Sequence, residues 1–593
     1  MKVLLTTLNS KFIHSCLALR YLKSYSEDIL PSIELEEYTI NQHNDFIVGE
    51  IFKKQPDVVA FSCYIWNMEQ ILEIAQALKI VKPEIKIVLG GPEVSYDSKE
   101  LMNRHPYIDF IVYGEGEATF RELVIGFING ENNYSDILGL VYRKEGKIIK
   151  NKPRPLIDNL DEIPSPFKGD LSEFKNKIIY YESSRGCPFN CQFCLSSTIK
   201  GVRFFSLDRV KQDLEYIIKA GVKQVKFVDR TFNTKKDYAL EIMRFIMSKN
   251  VRNINFHFEV TAHLLDEDML KFLKDVPEGL FQFEIGVQST NPETIKAIDR
   301  KTNFEKLAEV TKRIKSYRNI HQHLDLIAGL PYEDYNTFRK SFNDVYNLKP
   351  DKLQLGFLKL LKGSGLRQNV EKYGFKFLDK PPYEVLENKY ISYNEMLKLK
   401  VIEDLVEKYS NEHNFENTLE FIINKFYKTP IEFFEEFSDY WEQRNLHQKS
   451  HSKRGLYCIL YEFYIDKIKE KEDIFNELLK FDYILNNKGG NIPKNIKKYN
   501  NYNMKKKRHD FLKEERNVAK YLSQYKDLPP KKIIKDIHFE EFKFNIIDFI
   551  KKGYNEEEIK KNTSIVLFVY DNDKKVFDRC KSYDVTKEIQ KLE

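Results

Sequence analysis

The 593-residue sequence predicts an α/β protein with a doubly wound N-terminal domain, a partial (β/α)6 barrel and a mostly helical C-terminal domain. Two observations predict this order. Short apolar runs alternate with helical patterns up to residue 141 and again from about 177 to 366, and longer Lys- and Glu-rich helical patterns follow. We therefore divide the chain into residues 1–141, 142–172, 173–370 and 371–593, of which the second is a hairpin with a proline-spaced linker.

The N-terminal domain is predicted to be Rossmann-like, with four buried strands. Apolar runs of strand length lie at residues 3–6, 58–62, 85–89 and 110–112. Apolar residues at helical spacing lie at 16–25, 68–81 and 119–127. Strands that are apolar throughout are typical of a parallel sheet covered on both faces, and such a sheet binds its ligand at the carboxyl ends of its strands.

A second alternating series predicts the barrel. Its strands are expected at residues 178–182, 225–228, 255–260, 280–285, 323–327 and 352–357. Its helices are expected at 207–220, 237–248, 267–273, 292–298 and 335–347. Six βα units in a row indicate a full or partial parallel barrel, whose active site lies at the carboxyl ends of the strands.

The C-terminal region carries amphipathic helical patterns and no motif that indicates a chemistry. The helices are expected at residues 383–409, 415–426, 431–444 and 456–470. A basic stretch follows, and then a hairpin of 564–570 against 576–579 that turns at 571–573. The basic stretch contains Lys505, Lys506, Lys507 and Arg508.

Composition narrows the class of protein. The net charge is +6, from 95 basic and 89 acidic residues, so it gives no reason to expect a nucleic acid as partner. Seven cysteines cannot form a disulfide scaffold in a chain of this length, which favours a reducing, cytoplasmic location. No apolar run approaches the roughly 18 residues that span a bilayer, so we expect no membrane segment, and we recognise no signal peptide.

Three cysteines carry the strongest chemical signal. Cys187, Cys191 and Cys194 form a C-x3-C-x2-C pattern directly after a predicted strand. Three thiolates at this spacing can hold three irons of a [4Fe–4S] cluster and leave the fourth iron open to a small molecule. Structural zinc is the alternative, but it normally takes four ligands. The other cysteines are scattered along the chain: Cys16, Cys63, Cys458 and Cys580.

This motif, with Phe193 before its last cysteine, resembles the signature of radical S-adenosylmethionine (SAM) enzymes. Residues 229–233, 284–289 and 325–331 are similar to segments of the barrel of that family. Residues 1–141 resemble the cobalamin-binding domain of its class B-like branch, in particular at Gly-Gly-Pro-Glu and Gly-Glu-Gly-Glu turns. The resemblance covers roughly residues 1–370 and leaves the C-terminal extension without an interpretation.

The resemblance implies that the three cysteines hold the cluster and that SAM binds its open iron. Six residues are thereby assigned to SAM: Phe193, Asp229, Glu259, Gln288, Arg300 and Asp325. Glu259 matches the acid that contacts the SAM amino group. Arg300 matches an arginine that pairs with the SAM carboxylate in the bidentate geometry that guanidinium favours.

The resemblance also implies a cobalamin at the strand ends of the N-terminal domain. Nine residues are assigned to it: Asn9, Ser10, His14, Tyr64, Gly90, Gly91, Gly114, Glu115 and Gly116. Domains that supply an axial histidine carry Asp-x-His-x-x-Gly, whereas this loop has neither the Asp nor the Gly, and His14 is out of frame. We therefore expect a cobalamin without a nitrogen ligand from the protein.

The function implied is a cobalamin-dependent radical SAM methyltransferase that acts on an unactivated carbon or phosphorus centre through a 5′-deoxyadenosyl radical. Its substrate is expected to be a small molecule or a peptide, and its electron donor a flavodoxin or ferredoxin. Two alternatives stay open. One is a radical SAM enzyme that modifies RNA or a peptide, with residues 494–513 as a phosphate-binding surface in the RNA case. The other is a non-catalytic corrinoid- or redox-sensing protein.

The cluster assignment predicts that Cys191→Ala abolishes the brown iron–sulfur absorbance, because each thiolate is an obligatory ligand in a site with three cysteines. Anaerobic reconstitution followed by absorbance and iron analysis measures this. Cys458→Ala is the matched control and should reconstitute normally. Full iron content in a variant with Cys187, Cys191 and Cys194 all changed to alanine would contradict the assignment.

Overall fold

The computed structural model describes residues 1–488, 492–497, 504–526, 528–559, 563–570 and 580–591. The chain forms two compact units. One unit contains Met1–Phe338 and Leu355–Tyr393, and the other contains Arg339–Gln354 and Asn394–Glu593.

The first unit opens with a seven-stranded sheet in the order β2-β1-β3-β4-β5-β6-β7. Its strands are β1 Val3–Asn9, β2 Ile33–Thr39, β3 Val58–Ser62, β4 Lys86–Gly90, β5 Phe110–Val112, β6 Leu140–Lys144 and β7 Lys147–Lys150. Its helices are α1 Leu17–Ser26, α2 Asn44–Lys53, α3 Met68–Val81, α4 Ser98–Arg104 and α5 Glu117–Ile128. Strands β1 to β5 are parallel, and a buried apolar cluster lies on each face of the sheet.

The four strands predicted for this domain are confirmed, and the structure adds to them at both edges. Strand β2 was not predicted, because its sequence Ile-Glu-Leu-Glu-Glu-Tyr-Thr is half polar and lies at the sheet edge. The predicted hairpin forms from β6 and β7, which pair antiparallel with each other. Strand β6 also pairs antiparallel with β5, so the hairpin extends the sheet. The boundary predicted at residue 141 therefore falls inside β6, and the sheet continues to Lys150.

The barrel is a six-stranded sheet in the order β15-β14-β13-β12-β11-β8, which confirms the predicted partial barrel. The strands of this region are β8 Ile178–Tyr181, β9 Ser184–Cys187, β10 Gly201–Phe204, β11 Gln224–Phe227, β12 Asn255–Glu259, β13 Phe281–Gln288, β14 His321–Ala328 and β15 Lys352–Phe357. The helices are α6 Leu207–Lys219, α7 Lys236–Ser248, α8 Glu267–Lys274, α9 Pro292–Ala297, α10 Phe304–Tyr317 and α11 Tyr335–Tyr346. The sequence analysis missed α10.

The barrel interior is polar. Along β13 and β14 buried apolar residues alternate with partly exposed polar ones, so one face packs on the helices and the other lines the interior. Lys226 of β11 donates to the Glu284 carboxylate of β13 at 2.9 Å inside this space. The interior of the barrel therefore contains charged side chains that pair with each other.

Strands β9 and β10 form an antiparallel hairpin of their own, which the sequence analysis did not predict. Gly186 makes it possible, since its φ of 101° is in the left-handed region and a Cβ there would collide with the carbonyl oxygen of Gly201. Strand β9 ends at Cys187, so the first cysteine of the motif lies at the carboxyl end of the barrel.

The segment after the barrel is mostly irregular. It contains α12 Val370–Tyr373 and a small pair of antiparallel strands, β16 Lys376–Phe377 and β17 Val385–Glu387. The helix predicted from residue 383 is therefore wrong in its first turns. The pairing of β17 and the adjacent Pro381 and Pro382 delay the helix to residue 393.

The second unit is mostly helical, as predicted, with a small antiparallel sheet in the order β18-β19-β20. Its elements are α13 Tyr393–Leu405, α14 Glu416–Phe426, α15 Pro430–Gln443, α16 Lys453–Phe463, α17 Glu472–Asn486, α18 Met504–Lys513, α19 Glu515–Tyr521, α20 Pro530–Ile533, β18 Ile537–Phe542, α21 Ile546–Lys551, β19 Ser564–Tyr570, β20 Cys580–Asp584 and α22 Thr586–Gln590. The predicted hairpin partner at 576–579 lies outside the described residues, and β19 pairs antiparallel with β20, which begins at the next residue.

The predicted basic surface at 494–513 is only partly described. Lys507 and Arg508 lie on α18, whereas residues 498–503 lie outside the described residues. Within the described part of the chain no helix has both the length and the apolar character needed to cross a membrane.

The second unit is built around α17, where ten successive residues from 475 to 484 are buried. Lys480 is fully buried in this helix and its Nζ lies 3.2 Å from the Glu477 carboxylate. The same ammonium donates to the Glu541 carbonyl at 2.7 Å and lies 4.4 Å from the centre of the Phe542 ring. The ion pair is therefore enclosed between helix and sheet.

Lys480→Met should destabilise this unit by about 3 kcal/mol, because removing one partner of a buried pair leaves the Glu477 charge unpaired. Urea unfolding followed through Trp441 fluorescence in a Trp66→Phe background measures it, since these are the only two tryptophans. Lys520→Met, which removes an exposed pair with Glu588, is the control and should shift the midpoint little. Equal midpoints for both variants would contradict the role of Lys480.

Candidate functional site

The three cysteines of the motif lie at the carboxyl end of the barrel as free thiols. The Sγ of Cys187 lies 3.7 Å from the Thr231 hydroxyl, which follows β11. The Sγ of Cys191 accepts from the Arg300 guanidinium at 3.6 Å, and the Sγ of Cys194 accepts from the Ser196 amide at 3.4 Å. Each sulfur therefore lies within reach of a hydrogen-bonding group, and burial raises the pKa of the Cys191 thiol.

Two neighbouring segments hold the cysteine loop at its centre. The backbone amide of Gln192 donates to the backbone carbonyl of Ile298 at 2.9 Å. The backbone amide of Leu366 donates to the backbone carbonyl of Gln192, also at 2.9 Å. Phe193 packs against the apolar cluster formed by the end of the barrel and the segment after it. The loop is thus fixed by backbone hydrogen bonds on both sides of Gln192.

Among the described residues no three His, Cys, Asp or Glu side chains already converge on a point that one metal ion could occupy. A cubane cluster does not require such a point, because each of its thiolates binds a different iron. The arrangement fits a cluster with three cysteine ligands better than a single zinc ion, which needs its ligands around one centre.

Arg300 and Gln288 meet at Gly286 beside the cysteines. The Arg300 guanidinium donates to the Gly286 carbonyl, and a Cβ at Gly286 would collide with the Gln288 amide. Arg300 also lines an open cleft of about 400 Å³, which is within the range of small-molecule sites. Three buried atoms here have no hydrogen-bond partner among the described residues: Arg300 Nε, Gln288 Oε1 and Asp325 Oδ1.

These unpartnered atoms fit a polar ligand at the carboxyl end of the barrel, since buried polar groups normally have a hydrogen-bond partner. The guanidinium can donate to a carboxylate, whereas the amide oxygen and the carboxyl can accept from hydroxyl or ammonium groups. That donor and acceptor set matches an amino acid joined to a ribose. The residues present therefore fit SAM.

Glu259 and Asp325 lie in this end of the barrel with perturbed acidities. Burial, together with the neighbouring Glu284 charge, raises the pKa of Glu259 to about 7. Burial and the Glu284 and Glu259 charges raise the pKa of Asp325 to about 8. Near neutral pH the chain alone therefore holds protons on these two carboxyls.

Asp229 has a different surrounding from the other residues assigned to SAM. It is 1% exposed, and its carboxylate accepts from the Ser183 amide at 3.1 Å and from the hydroxyls of Ser183 and Ser184 at 2.6 and 2.5 Å. Asp229 therefore stabilises the turn between β8 and β9. Within the described chain its carboxylate is hydrogen-bonded to Ser183 and Ser184, and not to Arg300 or Gln288.

The strand ends of the N-terminal sheet form the second part of the site. The Tyr64 and Trp66 rings stack at 4.5 Å and 4°, and Trp66 is 45% exposed. A Cβ at Gly91, whose φ is 107°, would lie 2.6 Å from the Cys63 carbonyl oxygen, whereas a Cβ at Gly114 would meet nothing within 4 Å. A flat aromatic surface beside open backbone fits a macrocycle.

The remaining residues assigned to cobalamin frame this crevice. Asn9 donates from its amide to the His14 carbonyl at 3.1 Å, and Ser10 follows it at the end of β1. Gly90 ends β4, where a Cβ would lie 3.6 Å from the Val112 carbonyl oxygen. Gly116 directly precedes α5.

His14 and Glu115 are engaged with the barrel. The His14 Nδ1 lies 2.7 Å from the Tyr180 hydroxyl of β8, and burial with the nearby Lys11 charge lowers the pKa of His14. The Glu115 carboxylate accepts from Arg203 at 2.6 Å and from the Ile157 amide at 2.8 Å. Both side chains therefore have partners other than a corrin.

Two residues not predicted from the sequence, Arg185 and Arg203, link the cysteine hairpin to the N-terminal domain. Arg185 donates to Glu117 at 2.5 Å and to Glu182 at 2.9 Å. Despite that pairing, burial raises the pKa of Glu182 to about 7. The position of Arg185 inside the motif, two residues before Cys187, was the signal available in the sequence.

Three families match successive parts of the chain. The B12 binding domain matches residues 3–124, the radical SAM superfamily matches residues 181–345, and a protein family of unknown function, DUF4080, matches residues 371–568.

Curated relatives match about half of the chain, and two of them illustrate the likeness. An uncharacterized methyltransferase from Pyrococcus horikoshii is 32% identical over 295 residues, which cover 48% of this chain and 63% of that protein. The cobalamin-dependent radical SAM methyltransferase TokK from Streptomyces tokunonensis is 27% identical over 353 residues, covering 56% of this chain and 51% of TokK. The chain thus spans less than two thirds of the length of either relative.

A solved structure supports the fold. The cobalamin-dependent SAM radical enzyme OxsB with aqua-cobalamin bound superposes with a TM-score of 0.57 over 81% of this chain and 80% of OxsB. At 15% identity this likeness concerns the fold alone.

The acidities of Glu259 and Asp325 predict that SAM binds more tightly as the pH rises from about 6 to 8, and that the gain levels off above about pH 9. SAM brings an ammonium and a sulfonium, so both carboxyls should be ionised in the complex, and binding below pH 8 must release protons. Calorimetry of SAM binding to the anaerobic, reconstituted protein in phosphate and in Tris measures the protons released.

Asp325→Asn should reduce the proton release and flatten the pH dependence, whereas Glu293→Gln on the exposed start of α9 should change neither. A SAM affinity that falls between pH 6 and 8, or no proton release, would contradict the assignment.

Proposed function

We infer from the matches to the B12 binding domain and the radical SAM superfamily that the chain is a cobalamin-dependent radical SAM enzyme, and we propose that it is a methyltransferase acting on an unactivated carbon or phosphorus centre. One observation carries the proposal. In the first unit the three free thiols lie beside buried polar atoms without partners, and a crevice with an exposed aromatic surface is linked to the same hairpin.

In this proposal Cys187, Cys191 and Cys194 hold a [4Fe–4S] cluster, and the crevice at the N-terminal strand ends holds a cobalamin. When bound, these groups supply reductive cleavage of SAM to a 5′-deoxyadenosyl radical and a cobalt-carried methyl group. The residues of this chain bind and orient SAM and cobalamin, and they neutralise the charges in the site.

Arg300 has two tasks in the proposal. Its Nη1 donates to the Cys191 thiolate at 3.6 Å, which offsets negative charge at the cluster ligand. Its Nε has no partner within the described chain, so it is free to donate to the SAM carboxylate. Gln288 and Asp325 supply acceptors for the ribose and Glu259 accepts from the ammonium, once the two carboxyls have lost their protons.

In the crevice Tyr64 and Trp66 supply an apolar surface for a corrin, and the glycines allow the backbone to approach it. The loop that carries His14 lacks the Asp and the Gly of the axial-histidine motif, which supports binding of cobalamin without an axial histidine. The names of the relatives support methyl transfer as the outcome.

We further propose that the protein works in the cytoplasm and receives electrons from a flavodoxin or ferredoxin. A reduced compartment suits seven free cysteines and an oxygen-sensitive cluster. The substrate is proposed to be a small molecule or a peptide.

The test is cofactor loading followed by SAM turnover. Anaerobic protein with a reconstituted cluster should bind hydroxocobalamin stoichiometrically and, with a chemical reductant, convert SAM to S-adenosylhomocysteine and 5′-deoxyadenosine, which mass spectrometry measures. Products formed equally well without cobalamin would contradict the proposal.

Two variants sharpen the test. Arg300→Lys should weaken SAM binding about ten-fold while the cluster absorbance stays, because an ammonium cannot reproduce the planar fork. Lys271→Met on the exposed face of α8 is the control and should bind SAM normally. Electron paramagnetic resonance of the Co(II) form should show no nitrogen splitting, and a splitting lost in His14→Ala would make His14 the axial ligand.

A further inference from the structure

The loop at residues 114–117 faces two sites at once. Gly114 follows β5 in the predicted cobalamin crevice, and a Cβ there would meet nothing within 4 Å. The carboxylates of Glu115 and Glu117 pair with the arginines of the hairpin β9–β10. One loop therefore belongs both to the proposed cobalamin crevice and to the support of the cysteine motif.

The pairing is close and largely shielded from solvent. Arg203 holds Glu115 in a two-point contact at 2.6 and 3.1 Å, and Arg185 lies 2.5 Å from Glu117. The side chains of these four residues are only 6% to 17% exposed. We name this group of Glu115, Glu117, Arg185 and Arg203 the hairpin clamp.

Two other crevice loops also reach the barrel. The Tyr96 hydroxyl lies 3.0 Å from that of Thr198, which follows the last cysteine. The Ile178 amide at the start of β8 donates to the Ile13 carbonyl at 2.7 Å. The segments that follow β1, β4 and β5 therefore all contact the barrel or the cysteine loop through hydrogen bonds or ion pairs.

We propose that the hairpin clamp couples the two sites, so that cobalamin in the crevice orders the hairpin β9–β10 and a formed cluster in turn tightens cobalamin binding. This rests on the proposed function. The clamp satisfies its charges only when loop and hairpin are in register, and a displaced partner would leave shielded charges unpaired. Because linkage is reciprocal, the factor by which the cluster raises cobalamin affinity equals the factor by which cobalamin stabilises the cluster.

The clamp residues are positioning residues in this proposal, since they act through the loop and the hairpin. A useful comparison is Arg20, which pairs in two-point geometry with Glu173 at 2.7 and 3.0 Å. That pair also links the N-terminal region to the segment before the barrel, but it touches neither the loop at 114–117 nor the hairpin. A variant of Arg20 therefore tests whether an effect comes from coupling between the two sites or only from weaker contact between the two domains.

The first measurement is hydroxocobalamin affinity, by anaerobic absorbance titration of the full chain with and without its reconstituted cluster. The cluster should tighten binding about five-fold or more, the lower end of usual coupling factors. In Arg203→Met the ratio of the two affinities should fall towards one, and Arg203→Lys should give an intermediate ratio. In Arg20→Met it should stay at the wild-type value.

The second measurement needs neither the cluster nor a variant. Hydroxocobalamin added to the cluster-free wild-type protein should slow amide hydrogen exchange at residues 184–187 and 201–204. Equal affinities with and without the cluster, or unchanged exchange at the hairpin, would overturn the coupling and leave the proposed function standing. A protein that binds no cobalamin in either form would overturn both.

Discussion

The structure of the first unit depends on the need to neutralise Arg185. This guanidinium sits two residues before the first cysteine, is 12% exposed and is surrounded by the carboxylates of Glu115, Glu117 and Glu182. A charge this shielded from water needs partners with good geometry. Those partners come from the N-terminal domain as well as from the barrel, so the cysteine motif has its place only when both domains are folded and adjacent.

The same constraint explains the shape of the hairpin. Only glycine at position 186 allows β9 to approach β10 closely enough to pair, and this pairing brings Arg203 alongside Arg185. Asp229 then fixes the base of the hairpin through Ser183 and Ser184. In sequence the cysteine motif looks like a simple metal-binding loop. In the structure it is held by the pairing with β10, by Asp229 and by the carboxylates around Arg185.

Local patterns were sufficient to predict most of the fold, because apolar periodicity reports burial. Strand β3 and helix α3 have the bounds that were predicted, and the six barrel strands were all located. Strand β2 was missed because an edge strand with alternate glutamates has no continuous apolar run. The hairpin clamp was missed for another reason: its partners lie 68 and 88 residues apart, and no local pattern reports an ion pair over that distance.

The two halves of the site share an electrostatic property that follows from burial. Glu259, Asp325 and Glu182 all have raised pKa values, because burial outweighs the attraction of the cations near them. Protons therefore compensate charge that a cationic ligand would compensate if present. A site of this kind favours a ligand that arrives with positive charge. SAM does, through its sulfonium and its ammonium, whereas a neutral or anionic molecule would not compensate the charge of the ionised carboxyls.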